Sequence, residues 1–196
     1  MNLKRMMAFV DGENLLYRFQ DMKASGMVPD NSRRICHVPD SYVWHDMSIR
    51  GYFHEIVRVA YYTTIYGDGP KLERVAEEVK KLHFDTQNQG CHPGGGFLFP
   101  RVFKKSTKEA KSKAVDINIT VDVLTHVHQD SIDAVYLVTG DGDYLPLIHE
   151  VMHAGKQVYL AALSKGLNPN LRTAVDSFQN LDLLYFPPEK QKKKIT

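Results

Sequence analysis

The stretch "DAVYLVTGDGDYLPLIHEVMHAG", residues 133–155, predicts the fold because it leads from a strand, through two aspartates, into a helix. "DAVYLVTG" is an apolar run of β-forming residues. "DYLPLIHEVMHAG" has apolar residues at helical spacing, a proline that fits only the first helical turn, and a terminal glycine. Asp141 and Asp143 are therefore expected at the carboxyl end of a buried strand.

The same order of strand and then helix recurs along the chain. "MMAFV" (6–10) stops at Asp11-Gly12 before helix-spaced leucines, and "IVRVAYYTTIY" (56–66) precedes "KLERVAEEVKKLHF" (71–84). Near the end, "KQVYLAAL" (156–163) precedes "NPNLRTAVDSFQNL" (168–181). This alternation predicts an α/β fold, a three-layer Rossmann-like parallel sheet with helices on both faces.

Composition and turn signals predict the domain organisation. At 196 residues with 43% hydrophobic residues, the chain suits one globular domain, which we place at 1–188. Residues 25–55 are expected to be an irregular insertion. Four lysines and one glutamate lie in 189–196, which predicts a basic, disordered tail and leaves the rest of the chain close to neutral.

Two further features bear on location. No apolar run reaches the roughly 18 residues of a membrane span, so no membrane partner is expected. The two cysteines, Cys36 and Cys91, argue against a secreted disulfide framework and favour a reducing, cytoplasmic setting.

One segment, "VDINITVDVL" (115–124), is ambiguous. Its apolar residues alternate strictly with polar ones, which indicates a strand. Its apolar character continues to His128, which is long for a strand and suits a buried helix. Periodicity alone leaves both structures open.

The aspartates at the ends of strands point to a chemical site. Ligands of doubly wound sheets bind at the carboxyl ends of strands near the switch point, so Asp11, Asp141 and Asp143 are expected to converge. Two unit charges about 4 Å apart repel by ~4 kcal/mol at an effective dielectric near 20. A hard divalent cation that also binds phosphate relieves this repulsion. The alternative, that these residues only form turns or cap helices, also fits each motif taken alone.

Three motifs in order along the chain carry a family resemblance. They are "FVDGENLL" (9–16), "KAVDINITVDVL" (113–124) and "LVTGDGDYLPLIHEVMHAGKQVYL" (137–160). Together they resemble the NYN domain of the LabA-like group, a branch of the PIN-like nuclease superfamily. "NLRTAVDSFQNLD" (170–182) is similar to the closing helix and strand of that family. The resemblance implies that 115–128 form a helix with Asp116 near its start.

The resemblance also implies the roles of residues. Asp11, Asp116, Asp141 and Asp143 match the acidic positions that bind metal and carry catalysis. Three residues are expected to support them: Asn14, Asp122 and Thr139. Departures from the family pattern are Ala114 for glycine, Thr139 and Gly142 for serines, and Tyr144 for phenylalanine.

The function implied is hydrolysis of phosphodiester bonds in RNA with Mg²⁺ or Mn²⁺, with single-stranded DNA as a second candidate substrate. The segment "RVFKKSTKEAKSK" (101–113) would bind the phosphate backbone because it has one acidic residue among six basic ones. The six are Arg101, Lys104, Lys105, Lys108, Lys111 and Lys113. Exposed aromatic residues such as Tyr17, Tyr42 or Trp44 would stack on bases, unless they pack in the core.

Two other functions remain open at this level. The first is an RNA-binding or assembly module that keeps the fold without catalysis. The second is a phosphatase of the haloacid-dehalogenase type, which is disfavoured because Glu13 stands where that family needs aspartate. A zinc site formed by Cys36-His37 and Cys91-His92 lacks the usual ligand spacing. Formation of a homo-oligomer is left open.

Overall fold

The computed structural model describes residues 3–30, 34–86, 95–107 and 113–188. A central six-stranded parallel sheet is accompanied by two small antiparallel hairpins. The strands are β1 (Lys4–Asp11), β2 (Ile35–Val38), β3 (Tyr42–His45), β4 (His54–Ile65), β5 (His83–Asp85), β6 (Gly95–Phe97), β7 (Phe99–Lys104), β8 (Ala134–Val138), β9 (Gln157–Ala162) and β10 (Ser177–Asn180). The helices are α1 (Gly12–Ala24), α2 (Gly69–Lys80), α3 (Ala114–His128), α4 (Leu145–His153), α5 (Pro169–Thr173) and α6 (Asp182–Tyr185), and a 3₁₀ turn spans Gly142–Tyr144.

The order of the strands confirms the predicted α/β class. Across the sheet the order is β10-β9-β8-β1-β4-β7, and all these pairs are parallel. The chain moves outward from β1 to β7 and then crosses back to β8, so the direction of winding reverses between β1 and β8. Sheets of this kind bind ligands at the carboxyl ends of the strands at that reversal.

Helices cover both faces of the sheet, which accounts for two separate cores. In β1, Met6, Ala8 and Val10 point to one core. Met7 and Phe9 point to the other, as the two-residue period of a strand requires. Helices α1 and α2 pack in the first core, and α3 and α4 pack in the second.

The ambiguous segment 115–124 is helical. Four residues of α3 at intervals of four are buried against the sheet: Val115, Ile119, Val123 and Val127. Ile117 and Val121, which made the strict alternation, are exposed. The helix implied by the family resemblance is therefore confirmed.

Residues 25–55 are less irregular than predicted. They contain the hairpin β2–β3, and both Val43 and Trp44 in it are buried. The Trp44 indole N–H donates to the carbonyl of His83 at 2.8 Å. The expectation of an irregular segment was wrong here because strands of four residues are too short to show periodicity beside prolines. Burial also excludes Tyr42 and Trp44 as base-stacking residues, whereas Tyr17 is exposed.

Several expectations concern residues outside the described ranges. These are the tail 189–196, Cys91-His92, Lys108 and Lys111. Among the described residues, no helix has the length and apolar character to cross a membrane.

Candidate active site

Asp11 lies at the centre of the site, at the carboxyl end of β1. It is the residue before α1, and its Oδ1 accepts the backbone N–H of Asn14 at 2.9 Å, as a helix N-cap does. Its Oδ2 accepts the hydroxyl of Thr139 at 3.1 Å. With 3% of its surface exposed, Asp11 is a buried carboxylate.

A short network ties the end of β8 to the end of β1. The side-chain oxygen of Asn14 accepts the backbone N–H of Gly140 at 3.1 Å. The hydroxyl of Thr139 accepts the backbone N–H of Asp141 at 3.1 Å while it donates to Asp11. Asn14 and Thr139 therefore hold Asp11 and Asp141 relative to each other.

The remaining aspartates lie around this network. The Asp141 carboxylate accepts the backbone N–H of Asp143 at 3.0 Å and so caps the 3₁₀ turn. Asp143 is exposed, and Asp116 is half-buried in the first turn of α3. The hydroxyl of Tyr144 donates to Asp116 at 3.1 Å. This contact was not predicted, because Tyr144 was considered only as a replacement for phenylalanine.

The pKa values show that these acids act on one another. Burial raises the pKa of Asp11 to about 7, against the hydrogen bonds from Asn14 and Thr139, and the charges of Asp116 and Glu13 raise it further. Burial also raises the pKa of Asp116, with contributions from Asp141, Glu13 and Asp143. The four predicted aspartates therefore share one electrostatic environment, and Glu13 is a fifth acid in it.

The donor chemistry fits a hydrated divalent cation. Among the residues described, no group of three or more His, Cys, Asp or Glu side chains is arranged to enclose a metal ion. Mg²⁺ needs no such cage, because it keeps several waters and binds through one or two carboxylates and substrate phosphate. Asp11, Asp116 and Asp141 supply oxygen donors of the required type.

Glu13 and Lys105 form an ion pair beside the aspartates. The Lys105 ammonium contacts the Glu13 carboxylate and donates to the hydroxyl of Tyr17 at 2.8 Å. Burial would lower the pKa of Lys105, but its bonds to Glu13 and Tyr17 raise it. With 6% of its side chain exposed, Lys105 is less available to RNA than we expected. Sequence patterns carried no signal of this pair.

The contacts of Asp122 are structural. Its carboxylate accepts the Tyr62 hydroxyl at 2.7 Å and lies 3.2 Å from the guanidinium of Arg101. Arg101 is thus partly engaged, whereas Lys104, the last residue of β7, and Lys113, just before α3, are exposed. These two lysines are the predicted phosphate-binding residues with accessible charges among those described.

The geometry agrees with the comparison of the whole chain with known families. The NYN domain model matches residues 5–182. The chain belongs to the NYN domain family. NYN domains are members of the PIN-like nuclease superfamily, whose nucleases generally use divalent metals.

One solved structure shares the fold of this NYN domain. It is a protein of unknown function from Vibrio parahaemolyticus, 16% identical, with a TM-score of 0.58. The similarity covers 92% of this chain and 94% of that chain. No curated protein matches the chain.

Proposed function

We propose that this NYN domain is a metal-dependent ribonuclease that hydrolyses phosphodiester bonds at Asp11, Asp116, Asp141 and Asp143. The observation that carries the proposal is the gathering of acids at the carboxyl edge of the sheet, where burial and the charges of neighbouring acids raise the pKa of both Asp11 and Asp116. Buried like charges are costly, and a fold that retains them is typical of a site for cations. The motifs further resemble the LabA-like group within the superfamily.

The residues around the site have distinct tasks in this proposal. A bound Mg²⁺ or Mn²⁺ would supply a hydroxide near neutral pH and stabilise the leaving oxygen. Asp11 and Asp116 would hold that ion, and Asn14 and Thr139 hold Asp11 in place. Tyr144 orients Asp116 through its hydroxyl. Lys104 and Lys113 attract the phosphate backbone of RNA without reading its sequence.

Glu13 argues against the phosphatase alternative. In a haloacid-dehalogenase phosphatase the corresponding acid would act on substrate, whereas Glu13 is held by Lys105. The non-catalytic RNA-binding module differs from our proposal only in turnover, so the test must measure cleavage.

The test compares two aspartates that both cap a turn or helix. Asp141→Asn keeps the shape of the cap and removes one charge from the site. Asp68→Asn is the matched control, because Asp68 caps α2 by accepting the N–H of Lys71, and within the described residues no hydrogen bond or ion pair joins it to the aspartates of the site. A labelled single-stranded RNA and a DNA of the same sequence are incubated with Mn²⁺ or with chelator.

We expect the parent and Asp68→Asn to cleave RNA only with Mn²⁺, and Asp141→Asn to lose orders of magnitude in rate. In thermal melts without metal, Asp141→Asn should be at least as stable as the parent, because repulsion on the order of 1 kcal/mol is relieved. With Mn²⁺ at a hundredfold excess over its Kd, the parent and Asp68→Asn should each gain about 2.7 kcal/mol, and Asp141→Asn should not. RNA binding without cleavage by the parent would instead support the non-catalytic module.

A further inference from the structure

An open cavity lies on the edge strand β7, apart from the aspartates. Its volume is about 550 Å³, within the usual range of small-ligand sites. Three apolar side chains in its lining are unusually exposed: Val57 at 41%, Phe97 at 68% and Phe99 at 43%. Exposed apolar surface gathered at one place indicates a binding surface, whereas single exposed residues do not.

Cations are interleaved with these aromatic rings. The guanidinium of Arg58 lies 4.8 Å from the centre of the Phe99 ring. Lys80 also lines the cavity, and among the described residues of the lining only Glu77 is acidic. An aromatic surface with an excess of positive charge matches an unpaired base and its phosphate better than it matches an apolar peptide.

The sheet register gives the separation between this cavity and the aspartates. Asp11 pairs in register with Tyr62, and Tyr62 pairs with Arg101, so the three form one row across adjacent strands. Asp11 and Arg101 are two strands apart, which is roughly 10 Å. Phe99 is two residues before Arg101 on β7, which adds roughly 7 Å along the strand. Tyr62 is fully buried between Asp11 and Arg101, so an RNA strand that reaches both places has to run over the surface rather than along this row.

The side chains between the two places also face the same side of the sheet. Arg101 lies over the Tyr62 ring, with 6.0 Å between the guanidinium and the ring centre, and contacts Asp122 on α3. Because side chains alternate along a strand, Arg58 and Phe99 share this face with Tyr62 and Arg101. The row continues from a buried acid to a cation and then to an exposed aromatic ring.

We propose that the cavity between Phe97, Phe99 and Arg58 stacks an unpaired base of the single-stranded RNA that is cleaved at the aspartates. This inference rests on the proposed ribonuclease function. The cavity would take any of the four bases, since stacking depends on the flat face that all of them have. It gives the enzyme a preference for single strands that extend beyond the aspartates, because a paired base is not free to enter.

The test measures RNA binding in chelator, where no metal-dependent cleavage occurs. Two RNAs of about 4 and about 16 nucleotides span the footprints usual for single-strand binding. The double variant F97A/F99A removes the stacking surface, and F97Y/F99Y preserves it. Phe53→Ala is the matched control, because Phe53 is the same residue type with the same 68% exposure and does not line the cavity.

We expect F97A/F99A to bind the longer RNA at least about fivefold more weakly than the parent does. This factor corresponds to the lower end of the affinity that one stacked base contributes. F97Y/F99Y and Phe53→Ala should bind as the parent does, and all variants should share its thermal midpoint. Unchanged RNA binding by F97A/F99A would overturn the inference. It would also be overturned if the parent is a dimer and F97A/F99A is a monomer that still binds RNA as the parent does. Parental cleavage of the RNA with Mn²⁺ tests the proposed function separately.

Discussion

At the scale of the residue, the carboxylate of Asp11 has two roles. It caps α1 through the Asn14 N–H, and it is the buried acid on which the other charges of the site act. A cap needs only an acceptor, which asparagine also provides. The negative charge is therefore retained at a cost to the metal-free fold.

That cost predicts how metal-free stability depends on pH. The folded pKa of Asp11, about 7, is above its unfolded value of 3.8, so between these values the folded state holds the extra proton. Stability should therefore fall as pH rises from about 4 to about 7, by at most about 1.4 kcal/mol per pH unit. Urea unfolding in chelator at several pH values measures the free energy of unfolding across this range. In Asp11→Asn this pH dependence of the free energy of unfolding should vanish. If it persists in the variant, it arises from a group other than Asp11.

Tyr144 affects the protonation of Asp116. Its hydroxyl bond lowers the pKa of Asp116, opposing the effect of burial. Tyr144→Phe should raise that pKa and weaken Mn²⁺ binding most at the acidic end, while stability changes by only about 1 kcal/mol. Melts over a range of Mn²⁺ and pH report the apparent affinity, and Tyr66→Phe is the control because Tyr66 is exposed. Equal pH profiles for the two variants would contradict this role.

At the scale of the element, two neighbouring lysines at the end of β7 lie in different environments. Lys104 is the last residue of β7 and is exposed, whereas Lys105 is buried against Glu13 and Tyr17. Alternation along a strand sends successive side chains to opposite sides, so adjacent lysines separate. One is available to RNA, and the other neutralises an acid beside the site.

This difference predicts opposite results for the two alanine substitutions. Lys105→Ala leaves Glu13 without its cation and should lower the free energy of unfolding by about 1–3 kcal/mol. Lys104→Ala should leave stability unchanged within about 0.5 kcal/mol and weaken RNA binding more at low salt than at high salt. Denaturant unfolding and binding at several salt concentrations compare them. Equal stability of both variants would show that the ion pair contributes little.

At the scale of the whole molecule, the site and the hairpin β2–β3 are linked through Gly12 and Tyr61. A Cβ atom on Gly12 would lie 2.3 Å from a ring carbon of Tyr61. The Tyr61 hydroxyl donates to the Val43 carbonyl at 3.0 Å and accepts its N–H at 3.3 Å. The first residue of α1 thus has to be small so that a core tyrosine can hold the hairpin.

Gly12→Ala should therefore destabilise the protein by about 1–3 kcal/mol and reduce the Mn²⁺-dependent rise in thermal midpoint. The second effect follows because Asp11 precedes Gly12 and would shift with it. Gly69→Ala is the matched control, since Gly69 is also the first residue of a helix and, among the described residues, no atom beyond its chain neighbours and its own helix backbone lies within 4 Å of its added Cβ. If both variants melt alike, Tyr61 can move aside without cost.

The sequence alone determined the class of fold and one edge of the site. Strands and helices alternate in readable periods, and parallel crossovers bring strand ends to one edge, so Asp11, Asp141 and Asp143 could be placed there. The family motif added Asp116 and the helix 115–128. In that segment β-branched residues satisfy both periods, and burial of one helical face against the sheet decides between them.

Tertiary structure alone decided which side chains meet. Lys105 contacts Tyr17 across 88 positions of the chain, and Tyr62 contacts Asp122 across 60. Local patterns depend on neighbours within one or two turns, so no period in the sequence reports such pairs. For the same reason, no local pattern indicated that Trp44 is buried. Whether a charge binds RNA or another side chain depends on the packing around it, and that packing exists only once the sheet has assembled.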